Sequence, residues 1–208
     1  MRSRLLLTFI AAAAVFSACS EAPTTKVAEK APEAPPEPVT GSTAFFRMYT
    51  AARGWAGDLQ PLRMTSIHLP DVKKIPGKAA AWQATFVSPE RQRARSYTYS
   101  VIEASGNLHK GVFAGNEEGW SGRGAAKPFV IPGLKVDSDA AYETAIKKGK
   151  KVAEFLKANP DKSVSFLLEK NNKFPDLTWR VIWGESVSTS NYSVFVDATT
   201  GEYLETMR

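Results

Sequence analysis

Two stretches of this 208-residue chain have a similar order of residue types, and this repetition limits the folds available to the chain. The later stretch, Tyr192–Glu202, is Y-S-V-F-V-D-A-T-T-G-E, and the earlier one, Tyr97–Asn107, is Y-T-Y-S-V-I-E-A-S-G-N. Each runs from apolar residues to an acidic residue, small residues and a glycine, which is typical of a strand followed by a tight turn. Each stretch therefore predicts a closing β-hairpin.

The elements before each hairpin also recur in the same order. Helical spacing of apolar residues predicts one helix at Ala44–Gly57 and another from Asp137 or Ser138 to about Ala158. Each helix is followed by short strands, and one strand in each half carries a tryptophan, Trp82 or Trp179. The predicted fold class is α+β, with two repeated units, each of one helix packed on a small antiparallel sheet of three to four strands.

The chain begins with features of a bacterial export signal. Arg2 and Arg4 precede the apolar run Leu5–Phe16, which is too short to span a bilayer stably. The residues that end at Cys19, F-S-A-C, resemble the lipobox of bacterial lipoproteins. That resemblance implies cleavage before Cys19 and acylation of the cysteine, for example with palmitate. An ordinary secretory signal with a stray cysteine is the alternative.

The lipobox resemblance implies a location outside the cytoplasm. Lipid on Cys19 would hold the chain on the cell membrane or the outer membrane, facing the periplasm or the cell surface. Five segments are predicted in chain order: a lipoprotein signal peptide at 1–18, a Pro-rich tether at 19–40, a first unit at 41–114, a Gly/Pro-rich connector at 115–136 and a second unit at 137–208.

Charge and motifs argue against several classes of function. The net charge is +6, but basic residues are scattered among acids, so no nucleic-acid partner is predicted. The two histidines, His68 and His109, belong to no cluster with metal-ligand spacing, so no metal or cofactor is predicted. Gly119–Arg123 lacks the last glycine of a G-x-S-x-G nucleophile turn. No catalytic residue is predicted, and an enzyme of an unrecognised class stays the least favoured alternative.

Four residues are candidate contacts for a partner. Trp120 lies in a glycine-rich stretch, where it predicts either a binding contact or a plug between the two units. Arg91, Arg93 and Arg95 alternate at a loop–strand junction, where they indicate either contact with an acidic partner or lipid headgroups, or a solvated edge protected by charge.

The second unit resembles a PepSY-type domain. The resemblance covers about 137–208 and depends on a helix with spaced alanines, a strand with Trp179, and Y-S-V-F-V-D-A-T-T-G-E-Y-L at Tyr192–Leu204. The family includes propeptide inhibitors of proteases and sensory or binding modules, and it implies no catalytic residues. Asp197 and Gly201, with Gly106 in the first unit, are interpreted as turn residues rather than ligand-binding ones.

These observations predict a non-enzymatic module of the cell envelope that binds or inhibits a protein or peptide. A duplicated sheet without a catalytic constellation favours this function, because the edge strand of a sheet can accept an extended peptide. The alternative is a structural or assembly lipoprotein that acts as a spacer without a specific ligand.

Overall fold

The computed structural model describes residues 35–106 and 108–208. Its α-helices are α1 (Gly41–Ala52), α2 (Ser138–Lys148) and α3 (Val152–Ala158), and a short 3-10 helix covers Ile131–Gly133. Its strands are β1 (Gln60–Ile67), β2 (Ala81–Ser88), β3 (Arg93–Ser100), β4 (Gly111–Gly119), β5 (Ala126–Lys127), β6 (Val164–Asn171), β7 (Thr178–Trp183), β8 (Ser193–Asp197) and β9 (Tyr203–Met207). None of the helices in these described residues is long and apolar enough to cross a membrane.

The described strands form one antiparallel sheet in the order β4-β3-β2-β1-β6-β7-β8-β9, and β5 pairs with β6 beside this series. On each side of the central β1–β6 pair, the strands follow one another in chain order toward the end of the sheet. The strands β2 to β4 follow on one side and β7 to β9 on the other. β4 and β9 therefore form the two ends of the sheet.

The predicted fold class, two repeated units with one helix on a small sheet each, is wrong. β1 pairs directly with β6, with Arg63 opposite Glu169 and Thr65 opposite Leu167, so one sheet continues through both halves of the chain. Two separate sheets would each have left one of these strands as an edge with unpaired N–H and C=O groups. Direct pairing satisfies these groups within the chain.

The second predicted helix is also interrupted in the structure. α2 ends at Lys148, the backbone of Gly149 is extended with ψ 132°, and Lys151 adopts a left-handed conformation with φ 55° before α3 begins. Glycine is about 1 kcal/mol less favourable than alanine inside a helix, so the helical pattern is weakest at this point. Apolar residues keep helical spacing on both sides of the break, so the spacing predicts one continuous helix.

β4 is longer than the sequence predicts. The predicted first unit ends at residue 114 and a Gly/Pro-rich connector is predicted to follow it, whereas β4 covers Gly111–Gly119. β3 pairs with it along this length, and a register shift between Arg95 and Tyr97 places an extra residue in β4. Glycine is disfavoured in strands because it has no side chain to pack, which is why the glycines indicated a loop.

Three aromatic side chains form the centre of the core beneath the β1–β6 pair. Trp82, Phe166 and Trp179 are at most 1% exposed, and their ring centroids lie 5.9–6.4 Å apart. The Trp82 indole N–H donates to the carbonyl of Val39 at 3.2 Å, and that of Trp179 donates to the carbonyl of Val136 at 2.8 Å. Because these carbonyls precede α1 and α2, the two tryptophans fix the start of both helices on one face of the sheet.

The starts of α1 and α2 are joined by hydrogen bonds. Asp137 Oδ1 accepts from the backbone amides of Ser138 and Ser42 at 2.7 and 2.8 Å. The Ser138 hydroxyl accepts from the Gly41 amide at 2.8 Å and donates to the Gly77 carbonyl at 2.5 Å. These side chains satisfy amides that a helix N-terminus leaves unpaired, and they connect the loop before β2 to both helices.

Candidate functional site

β4 forms one of the two ends of the sheet. It pairs with β3, and no other described strand lies on its outer side. Its side chains are mostly exposed, including those of Val112 and Phe113, which are 37% and 45% exposed. A free strand edge presents N–H and C=O groups that can pair with another extended chain. β4 is therefore the candidate contact surface.

The alternation of antiparallel hydrogen bonds shows which backbone groups of β4 face outward. The Val101 amide donates to the Ala80 carbonyl at 2.9 Å, and β2 and β3 keep one register from there. Alternate residues of β3, among them Thr98, therefore direct their backbone groups toward β4. Thr98 lies opposite Phe113, whose backbone thus faces β3. The neighbouring residues with outward-facing backbone groups are Val112 and Ala114.

A cleft of about 390 Å³ lies beside β4 on the helix side of the sheet. It is lined by Ala51, Gly54, Trp55, Arg95, Tyr97, Val112 and Ala114. The Arg95 guanidinium lies 5.6 Å from the centroid of the Tyr97 ring, and its Nε donates to the Gly115 carbonyl at 2.8 Å. The cleft combines aromatic and apolar surface with one fixed cation, which suits an apolar or an acidic side chain.

A second cleft, of about 420 Å³, reaches β4 on the opposite face. Its lining consists of Ile67, Gln83, Ser96, Thr98, Ser105, Gly106, Leu108, Phe113 and Gly115. Thr98 Oγ1 is buried there without a hydrogen-bond partner among the described residues. A buried hydroxyl without a partner costs about 1–3 kcal/mol.

The three arginines predicted as partner contacts do not form one cluster. Arg91 forms an ion pair with Glu117 at 3.0 Å and donates to the Trp55 carbonyl at 3.0 Å. Arg95 lines the cleft on the helix side, whereas Arg93 is exposed at the start of β3. Arg91 therefore anchors the β2–β3 loop to the segment after α1, and Arg95 is the arginine that lies beside the outward edge.

Two carboxylates fix the loops at the far end of β4. The Trp55 indole N–H donates to Glu117 Oε1 at 2.7 Å, and this hydrogen bond, with the Arg91 guanidinium, lowers the pKa of Glu117. The Ser88 hydroxyl donates to Asp58 Oδ1 at 2.6 Å, which together with a backbone hydrogen bond lowers the pKa of Asp58. Both carboxylates are ionised at neutral pH and hold this end of the strand in place.

Trp120 directly follows β4 but lines neither cleft beside it. Its amide donates to the Gln92 carbonyl at 2.9 Å. Its side chain is half-buried and packs, with Ala126, on a small apolar cluster on the face opposite the helices; the cluster is Leu62, Val87 and Ala94. The side chain of Trp120 thus covers this small cluster.

The hairpin residues make contacts within their turns. Asp197 Oδ1 accepts from the amides of Thr199 and Thr200 at 2.7 and 2.8 Å, and the Gly201 amide donates to the Asp197 carbonyl at 2.9 Å. Gly201 and Gly106 both have φ of 79°, a left-handed conformation that glycine adopts without strain. These contacts occupy both the side chain and the carbonyl of Asp197.

His109 lies next to β4 but is not in the lining of either cleft beside it. His109 Nδ1 lies 3.3 Å from a Glu103 oxygen, and the imidazole packs 4.7 Å from the Phe113 ring. Across residues 35–106 and 108–208, no group of three or more His, Cys, Asp or Glu side chains is placed to hold a metal ion. The predicted lipidation site, Cys19, lies outside the described residues.

The sequence interpretation missed the residues of the edge itself, Val112, Phe113 and Ala114. Their apolar character and the glutamates that follow them were the available signal. That signal predicts a strand but does not show where in the sheet the strand lies, because strand order depends on the pairing of β1 with β6.

Searches against family models, curated proteins and solved structures found no match to this chain.

Proposed function

We propose that this protein is a membrane-anchored module of the cell envelope that binds an extended segment of a protein or peptide along β4, without catalysing a reaction. The observation that supports this most is the position of the outward backbone of Val112 and Ala114 between two clefts. In strand addition, main-chain hydrogen bonds supply affinity, and pockets for alternate side chains supply specificity.

The chemistry of the clefts suggests the partner segment. A side chain on the helix side would meet Tyr97, Val112 and the guanidinium of Arg95, which favours an aromatic, aliphatic or acidic residue. The next side chain would point to the opposite face and meet the Phe113 ring, which favours an apolar or aromatic residue. A β-forming segment with one acidic residue matches both clefts.

The anchor and the resemblance complete the proposal. Acylation of Cys19 and a Pro-rich tether would hold the domain at a membrane surface outside the cytoplasm. The PepSY-type resemblance of residues 137–208 agrees with a binding or inhibitory role, since that family includes inhibitory propeptides and sensory modules.

The binding surface is tested by selecting a random dodecapeptide display library on the full chain and synthesising one enriched peptide. Ala114→Pro removes an outward N–H and places a ring where the added strand would lie, so the peptide should bind at least about tenfold more weakly. Ala114→Ser keeps the N–H and should retain the affinity. Fluorescence anisotropy of the labelled peptide measures both.

The unfolding temperature of Ala114→Pro should stay within a few degrees of wild type, because the lost N–H does not pair with β3. Equal binding by the proline and serine variants would contradict the proposal, as would enrichment of no peptide at all.

The anchor has a separate test. Cys19→Ala should abolish incorporation of labelled palmitate and release the protein from membranes, and unchanged labelling would refute acylation at Cys19.

A further inference from the structure

A third cleft, distant in the sheet from β4, lies at one end of the central β1–β6 pair. Its volume is about 240 Å³. The loop between β1 and β2 forms one wall, and the start of β6 with Tyr142 of α2 forms the other. Gly77 in this loop has φ of 74°, and a Cβ there would lie 2.3 Å from the Asp139 Cα, so the loop is held closely against the start of α2.

The charge of this cleft has one sign. Four lysines line it, Lys73, Lys74 and Lys78 from the loop and Lys162 from the opposite wall, and no Asp or Glu is among its described lining residues. In the described part of the chain, none of these four lysines forms an ion pair. A cleft lined by charges of one sign concentrates the field within it, so this cleft attracts anions.

The floor of the cleft is apolar with one hydroxyl. Val72 and Phe166 are 7% and 1% exposed and lie in the lining. Ser66 is 7% exposed, and its Oγ accepts from the Phe166 amide at 2.9 Å. Among the described residues no acceptor takes the hydroxyl hydrogen of Ser66, so it is available to a ligand. An anion with a short apolar part fits the combination of lysine rim and apolar floor.

We infer that this cleft binds an organic phosphate, meaning a phosphate group attached to a small apolar body. Pockets for drug-sized ligands occupy roughly 300–1,000 Å³, so the cleft holds either a small anion or the head of a larger one. A phosphate monoester carries more than one negative charge and matches several lysines, which bind phosphate as point charges. Two sources share this chemistry, the head group of an anionic lipid and a free organic phosphate.

Calorimetric titration of the full chain tests the inference with four probes. Dihexanoyl phosphatidic acid represents the lipid head group, and phenyl phosphate represents a free organic phosphate. Inorganic phosphate lacks the apolar body, and dihexanoyl phosphatidylcholine lacks net charge. Phosphatidic acid, phenyl phosphate or both should bind more tightly than inorganic phosphate and phosphatidylcholine. The tighter of these two phosphates shows whether the natural ligand is a lipid head group or a free organic phosphate. The affinity should fall as salt is added.

Variants locate the site. Lys73→Gln with Lys162→Gln removes one cation from each wall and should weaken the tighter probe about tenfold. Lys148→Gln with Lys157→Gln removes the same charge from exposed positions on α2 and α3 and should leave the affinity unchanged. All four lysines are exposed, so thermal unfolding should match wild type for both pairs.

Three results would overturn the inference: equal losses in the two variant pairs, equal binding of the phosphatidylcholine, or binding by none of the phosphates. The outcome is independent of the peptide surface, because no lining residue of this cleft belongs to β4 and none of its four lysines lines either cleft beside β4.

Discussion

The strands β4 and β9 form the two ends of the sheet. They occupy equivalent places in the strand order but differ in the contacts that their side chains make. β4 has nine residues and a cleft on each face, whereas β9 has five residues. Side chains of β9 make contacts on both faces. Thr206 Oγ1 accepts from the Lys150 amide at 3.0 Å and lies 2.9 Å from the Tyr203 hydroxyl, and Glu205 pairs with Lys173 at 2.7 Å.

The break between α2 and α3 explains this difference. It brings the Lys150 backbone to β9, where the Lys150 carbonyl also accepts from the Tyr192 hydroxyl at 2.6 Å and from Arg208 at 3.3 Å. In the first half, α1 ends at Ala52, and its end leaves a cleft beside β4. A strand added along β4 would have a cleft on each face for its side chains, which favours β4 as the edge that binds one.

The break itself gives the largest expected effect. A Cβ on Gly149 would lie 2.6 Å from the Ala145 carbonyl oxygen and 2.9 Å from Val194 Cγ2, so Gly149→Ala should destabilise the protein by about 1–3 kcal/mol. In a continuous helix the same change would stabilise it by about 1 kcal/mol. Urea denaturation measures the sign, and a more stable variant would show that the helix is not interrupted at Gly149.

The cover on β9 gives an intermediate effect. Thr206→Val keeps the shape of the side chain but removes the acceptor for the Lys150 amide, so it should cost about 1 kcal/mol. The Lys150 amide should then exchange its hydrogen faster, which NMR detects. Thr50→Val is the control: it removes a hydroxyl that donates to the Phe46 carbonyl one turn earlier on the exposed face of α1, and it should leave exchange of the Lys150 amide unchanged. An unchanged exchange rate at Lys150 would show that Thr206 does not hold the Lys150 amide.

The smallest expected effect concerns pH at the far end of β4. The pKa of Glu117 lies below its ordinary value of 4.5, because Trp55 and Arg91 stabilise the carboxylate. The carboxylate therefore contributes stability above about pH 4.5, and this contribution is lost as the pH falls through the lowered pKa. Glu117→Gln should flatten the acid side of the stability profile, whereas Glu118→Gln should not. Denaturation midpoints between pH 7 and 3 measure both profiles, and identical profiles would contradict the assignment.

Much of the local structure follows from the sequence. Helical spacing predicts that Phe45, Met48 and Ala52 form the buried face of α1, and all three are fully buried. Alternation predicts that Trp82 and Phe86 share one face of β2, and both are fully buried in the core. These predictions are confirmed because the buried face of a helix or strand is set by the spacing of apolar residues within that element.

The arrangement of the sheet does not follow from the sequence in the same way. The pairing of Arg63 with Glu169 joins strands that are distant in the chain, and neither residue carries a local signal for it. The open edge and the lysine cleft both depend on that pairing, because it places β4 at one end of the sheet and Lys162 opposite the loop with Lys73. Periodicity identifies strands, and the partners of each strand are set by tertiary contacts.

Hydrogen exchange of the backbone amides, measured by NMR with and without the selected peptide, shows directly whether the peptide pairs with β4. Strand addition predicts that bound peptide slows exchange at the outward amides of Val112 and Ala114 and leaves the amides of β9 unchanged. Protection confined to β9, or binding without protection at Val112 and Ala114, would contradict β4 as the binding surface.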